Sequence, residues 1–313
     1  MAMNDATPRK YTGSLLERFA ELHPQKPPRV PPVEDAPAPA NDPVAAPVGP
    51  RLRTGEELAR IATPRTGAHR KGEVDRVALA EQGMLIPGAQ VTALAEEFRL
   101  VKRQLLLTKK KVAARNEEQS RMILVCSAKP NDGKTFCAVN LAMSMAAEKD
   151  VEILLVDADF AKPGIVSTLG LEDGRGLLDA LADPTLDVES CIIDTDVPQL
   201  SVLPAGTPGN DDTELLASDH ARRLLASLAA ANPRRIVIFD SPPALVASPA
   251  AVLADLVGQV MLVVRADRTS EGELRETVQL LDACEEIQLV LNAVSFAPDG
   301  PRFGTYYGGE SHA

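Results

Sequence analysis

No stretch of this 313-residue chain approaches the roughly 20 consecutive apolar residues that a helix needs to cross a bilayer. The start, with Asp5, Arg9 and Lys10, has no apolar signal-peptide region, so the chain is expected in the cytoplasm. The four cysteines, Cys126, Cys137, Cys191 and Cys284, form no CxxC pair, and they read as small buried hydrophobes in a reducing compartment. The histidines, His23, His69, His220 and His312, are equally scattered and propose no site. Lysine and arginine are outnumbered by aspartate and glutamate, 33 to 44, and the net charge of −11 disfavours nucleic acid or an anionic membrane surface as a partner, local basic patches aside. Aromatic residues are scarce, at 3%, and there are only three tyrosines.

Proline, in contrast, is abundant, and it is concentrated before residue 64. Residues 1–85 therefore read as a flexible leader, with one short amphipathic helix at 12–22 (Leu15, Leu16, Phe19, Leu22) and a solvated tether from Pro24 to about Pro64. The 45% hydrophobic content is enough for one sizeable core, expected over 86–300, followed by a flexible tail at 301–313. The spacing of Val91, Leu94, Ala95, Phe98, Val101 and Leu105 predicts a helix that runs to the cluster Lys109-Lys110-Lys111.

The most informative run is Ala128-Lys129-Pro130-Asn131-Asp132-Gly133-Lys134-Thr135, set between an apolar strand pattern at 122–126 and a helix pattern at 138–147. A nucleoside triphosphate needs backbone N–H groups that point inward, an ammonium that reaches the outer phosphates and a hydroxyl for Mg²⁺. Gly133, Lys134 and Thr135 supply that spacing, with Ala128 where glycine is usual. The expected nucleotide contacts are Lys129, Pro130, Asn131, Asp132, Gly133, Lys134, Thr135 and Phe136, and the expected ligands are ATP and Mg²⁺.

Past the loop, β-branched runs at 153–156, 200–203, 236–239, 260–264 and 288–291 alternate with helix patterns, one of them from Thr213 through Ala230 opened by Asp211-Asp212-Thr213. Apolar strands without alternation, separated by helices, predict an α/β fold with a mostly parallel sheet covered by helices on both faces and ligands at the carboxyl ends of its strands. Two acidic motifs fall at such ends: Asp157-Ala158-Asp159 and Asp240-Ser241-Pro242-Pro243. Mg²⁺ takes hard oxygen ligands and keeps several waters, so Thr135, Asp157 and Asp240 form the expected metal set, directly or through water.

Together the phosphate loop, the DxD and the hydrophobic-Asp-Ser-Pro-Pro motif resemble the three Walker motifs of the bacterial tyrosine kinases that control capsule and exopolysaccharide synthesis. The resemblance covers about 90–300. Leu203-Pro204-Ala205-Gly206-Thr207-Pro208 with Glu214-Leu215-Leu216 resembles that family's PAG…ELL segment, and Glu96-Glu97-Phe98-Arg99-Leu100-Val101-Lys102 resembles its ExxRxxR subunit-contact helix, with Lys102 in the last arginine's place. VDADFAKP and LPAGTP look most like the exosortase-associated tyrosine autokinases. The resemblance implies a P-loop NTPase fold of the deviant-Walker, MinD/ParA-like type and an ATP-dependent autokinase of exopolysaccharide biosynthesis. It also implies a homo-oligomer built through Glu96, Arg99 and Lys102, and a membrane chain-length-determinant (Wzz-type) activator that recruits the chain to the inner face of the membrane.

By that resemblance Lys134 neutralises β- and γ-phosphate charge, Asp157 supports the metal shell, Asp159 takes the tyrosine proton and Asn292 reads the adenine edge. Tyr306 and Tyr307, paired in Gly304-Thr305-Tyr306-Tyr307-Gly308-Gly309, resemble a reduced form of the family's C-terminal tyrosine cluster, phosphorylated between subunits; Tyr11 is a weaker acceptor. Two departures bear on activity: Ala161 stands where an arginine is common, and Asn131 where glycine is frequent. They keep open a nucleotide-gated assembly scaffold without kinase activity. Lys129, at the position of a signature lysine that reaches across a dimer, keeps open a MinD/ParA-like ATPase switch.

Overall fold

The computed structural model describes residues 69–294. The expected helix at 12–22, the proline-rich tether and the tail with Tyr306 and Tyr307 lie outside the described residues. Within them the strands are β1 (Arg70–Gly72), β2 (Met122–Ser127), β3 (Glu152–Asp157), β4 (Ile193–Thr195), β5 (Leu200–Leu203), β6 (Arg235–Asp240), β7 (Gln259–Arg265) and β8 (Ile287–Asn292). They form one sheet in the order β1-β4-β5-β3-β6-β2-β7-β8. Only the pairing of β4 with β5 is antiparallel. The core strands β2 and β6 are buried at every residue, which is why their sequences lack polar alternation.

The helices are α1 (Arg76–Glu81), α2 (Ala93–Ala113), α3 (Glu117–Ser120), α4 (Lys134–Ala146), α5 (Ile165–Leu169), α6 (Leu177–Ala182), α7 (Asp212–Leu216), α8 (Asp219–Ala230), α9 (Pro249–Ala254) and α10 (Glu271–Leu280). Because side chains alternate across a strand, the sheet feeds two cores. Ile123, Val125, Leu155, Ile238 and Val263 meet α1, α2, α4 and α5 through Leu79, Leu105, Leu141 and Ile165. Leu124, Val156, Phe239 and Leu262 meet the helices of the other face through Leu178, Leu216, Leu228 and Leu253. The mostly parallel, doubly covered α/β sheet is as expected.

Two expectations change. Order begins before residue 86: β1 pairs with β4, and α1 is capped by Asp75, whose carboxylate accepts from the backbone N–H of Val77 and Ala78. Val74, Leu79 and Met84 are buried and hold this segment to the domain. The single helix expected over 213–230 is two, because Ser218 breaks it and its hydroxyl accepts from Ala221 N to cap α8, while the Asp211 side chain makes no cap.

Candidate active site

The phosphate loop joins β2 to α4, and its two left-handed residues, Asn131 (φ 66°) and Gly133 (φ 96°), set its curl. Asparagine tolerates this region better than most residues. Gly133 has a second constraint, because a Cβ there would lie 2.1 Å from the Asn292 amide nitrogen. Beneath the loop Asp132 is fully buried, and one of its carboxylate oxygens accepts from Lys129 N at 3.0 Å.

Lys134 Nζ lies 2.6 Å from Asp159 Oδ2. Burial pulls the Lys134 ammonium down, but Asp240, Asp159 and Asp157 outweigh it and hold its pKa above the ordinary lysine value. Asp157 Oδ2 accepts from Gly164 N and Ile165 N, both at 2.9 Å, and Oδ1 accepts from Asp159 N at 3.3 Å. These bonds fasten the segment from Asp159 to the start of α5. Burial pushes Asp157 up to about 6, against the pull of those N–H groups.

Asp240, at the end of β6, is 1% exposed, and neither carboxylate oxygen has a hydrogen-bond partner. Burial pushes it up to about 7, while the Lys134 charge and the neighbouring Thr135 hydroxyl pull it down. An unpartnered buried carboxylate is costly unless something compensates it. A divalent cation beside Thr135 would do so, and the hard-oxygen chemistry of the pair fits Mg²⁺. Above these groups opens a cleft of about 490 Å³, lined by loop residues and by Asp159, Pro163, Pro243 and Val246.

The two flanks of β2 differ. Asp157, Asp159 and Asp240 stand on the β3 and β6 side, whereas β7 and β8 brace the loop from the other. There the Arg265 guanidinium donates to Asn131 O at 3.2 Å. Asn292, expected at the adenine, donates its amide to Asp132 O at 2.9 Å, and its Oδ1 accepts from Ala293 N. Lys129 turns away from the cleft: Nζ contacts both Glu273 oxygens at 2.9 Å and Arg268 O at 2.8 Å. Glu273 also accepts from Ser270 N in the capping box of α10. The Ser270 N–H, then Lys129, hold its carboxyl down near 2.

The cleft thus gathers Pro130, Asn131, Gly133, Lys134, Thr135, Phe136 and Asp159, while Asp132 lies under the loop. Glu96, Arg99 and Lys102 lie elsewhere, on α2. Glu96 pairs with Arg99, and Lys102 Nζ is held within the chain by Ser144 O (3.1 Å) and Glu148 (2.6 Å). Sequence reasoning missed Glu273 and also Asp179, which accepts from Gly176 N and Thr207 N and ties down the Pro204–Pro208 loop. Gly176 is obligatory there, since a Cβ would meet Pro204 O at 2.1 Å. The cysteines are all free and buried, with burial pushing Cys126 to about 11 and Cys137 to about 12, as small-hydrophobe roles require.

Residues 120–292 match the family model of the AAA domain. The crystal structure of the VpsO kinase domain is 30% identical, with a TM-score of 0.51, and the match covers 63% of this chain and 97% of that domain. This chain belongs to the bacterial tyrosine kinases. Within that family, tyrosine-protein kinase YwqD of Bacillus subtilis (strain 168) is 29% identical over 169 residues, 54% of this chain and 70% of YwqD. The Escherichia coli tyrosine kinase ETK kinase domain, 24% identical with a TM-score of 0.56 over 73% of this chain and 93% of that domain, shares the fold. EpsB of Ralstonia nicotianae (strain ATCC BAA-1114 / GMI1000) is 32% identical over 193 residues, 61% of this chain, and the chain spans about a quarter of that relative's length. Among the described residues no helix is long and apolar enough to cross a membrane.

Proposed function

We propose that this chain is an ATP-dependent protein-tyrosine kinase that phosphorylates its own C-terminal tyrosines, Tyr306 and Tyr307, between subunits of an oligomer. The observation that carries the reading is the pairing of the loop ammonium of Lys134 with the nearly buried Asp159 carboxylate at the floor of an open cleft. An ATPase that only hydrolyses has to place a water, whereas a tyrosine kinase has to admit a side chain to the same carboxylate.

Lys134 and the inward N–H groups of the loop bind the β- and γ-phosphates. Once Lys134 turns to phosphate, Asp159 loses its cation and is free to accept the phenolic proton. Thr135, Asp240 and Asp157 would hold Mg²⁺, directly or through water, and the ion would supply charge neutralisation for the β- and γ-phosphates. Asp157 also keeps Asp159 in place through the N–H bonds of the 159–165 segment. Ala161 supplies no arginine to the cleft, which is lined by two lysines, Lys134 and Lys162. The engagement of Lys129 by Glu273 counts against the partitioning-switch reading, which needs that lysine free to reach a neighbour.

The setting we infer is exopolysaccharide biosynthesis, with cytoplasmic chains joined through Glu96, Arg99 and Lys102 and recruited by a chain-length-determinant partner. Mass spectrometry of the chain from a heterologous bacterium, with and without Lys134→Met, tests the reading. Phosphotyrosine should be present in the parent and absent from the variant.

A further inference from the structure

On the assumption that the chain is a tyrosine kinase, we infer that Pro243 and Val246, which line the cleft together with Pro163, form the subsite that receives the aromatic ring of the acceptor tyrosine. Three observations meet there. The segment after β6 is rigid: Ala244 N donates to Ser127 O at 2.9 Å, Leu245 N to Ala128 O at 3.3 Å, and Val246 N to Pro243 O at 3.1 Å. It is bolted to β2 and the phosphate loop itself. Yet this rigid turn leaves Val246 64% exposed at the mouth of the cleft, beside Pro243 and Ala247. A fixed, exposed apolar side chain costs hydration and gives the domain no packing in return.

The position on the sheet decides what docks there. β6 and β3 lie on the same side of β2, and the turn that follows β6 lines the cleft together with Asp159, while Asn292 and Arg265 brace the loop from the β7 and β8 side. The turn therefore borders the end of the nucleotide that reacts. Depth then selects the acceptor. The Asp159 side chain is only 5% exposed, while Val246 of the same cleft is 64% exposed, so the carboxylate is set deeper than the apolar rim. The hydroxyl of serine or threonine, one bond from Cβ, stays at that rim. A tyrosine lays its flat ring against proline and valine and carries its hydroxyl to the floor.

The transfer balances without another reactant. The phenolic oxygen forms a bond to the γ-phosphorus as the bond from that phosphorus to the bridging oxygen breaks. ADP leaves with the electron pair, and the phenolic proton passes to Asp159.

The test uses the full chain with the peptide Gly-Thr-Tyr-Tyr-Gly-Gly, the sequence of 304–309, and separately the Lys134→Met chain as acceptor. Val246→Asp should cut kcat/KM for the peptide and labelling of the Lys134→Met chain at least tenfold, with ATP affinity within twofold of the parent. Val246→Ile should restore transfer, because an apolar rim is what the ring needs. A parent that phosphorylates tyrosine while Val246→Asp does so equally well overturns the subsite and leaves the kinase reading standing. A parent that binds ATP but phosphorylates no tyrosine overturns both. Weaker ATP binding in Val246→Asp, in step with lost transfer, would move the turn into the nucleotide site and overturn the assignment.

Discussion

Lys134 Nζ lies 2.6 Å from Asp159 Oδ2, so the group assigned to phosphate is paired with the group assigned to the proton. Lys134→Ala should weaken ATP binding by about 1.5–3 kcal/mol, the range for a hydrogen bond to a charged group. Asp159→Asn should leave affinity nearly intact while phosphoryl transfer falls by two orders of magnitude or more, the scale of general-base catalysis. Calorimetry and single-turnover labelling separate the two, and equal loss of both in Asp159→Asn would move that residue to the metal shell.

The buried carboxylates set a pH dependence. Asp240 is pushed from 3.8 to about 7 and Asp157 from 3.8 to about 6, chiefly by burial. Between these values the folded chain holds more protons than the unfolded one, so their contribution to stability is present below about pH 4 and is lost as pH rises towards 7. Mg²⁺ with ADP should bind the ionised form, so that its stabilisation should grow over the same window. Melting temperatures measured with and without Mg²⁺-ADP should diverge from pH 5 to 7.5, and Asp240→Asn should flatten both trends; parallel curves in the parent would refute a metal-linked Asp240.

Glu273 holds Lys129 and caps α10 in one gesture. Glu273→Ala should lower the melting temperature and weaken ATP binding several-fold, whereas Glu273→Gln should keep part of the cap and lose the ion pair. Because the carboxyl sits near 2, neither effect should vary between pH 5 and 8. ATP binding indifferent to both changes would show that the loop needs no such brace.

The assembly face makes a mixed prediction. Changing Glu96, Arg99 and Lys102 together to alanine should abolish oligomers and labelling between chains while ATP still binds. Lys102 also bonds Ser144 O and Glu148, so Lys102→Ala alone should destabilise the packing of α2 on α4 by about 1 kcal/mol. Light scattering that gives triple variant and parent the same mass would remove these residues from the interface.

The parts of this fold that were legible in the sequence are those with local causes. β2, β3, β6 and β7 announce themselves as apolar runs because parallel strands are buried on both faces, and the loop and its flanking carboxylates sit where strand ends must place them. β1 and β4, three residues each, are too short for any period to register. The break at Ser218 was hidden because Leu215, Leu216, Leu224, Leu225 and Leu228 keep facing the same core across it. Lys129 meets Glu273 across 144 positions, a contact that only the packed sheet creates. Asp240 was legible as a strand-end metal ligand, while the burial of both its carboxylate oxygens is a property of the fold.

The most direct test of the central claim is to mix a Lys134→Met chain, which keeps its tyrosines and lacks a working site, with a Tyr306→Phe/Tyr307→Phe chain, which has the reverse. With ATP and Mg²⁺ present, phosphotyrosine should appear on the Lys134→Met chain at Tyr306 or Tyr307. If wild-type chain is labelled on tyrosine and neither partner in the mixture is, transfer between chains onto this tail is contradicted.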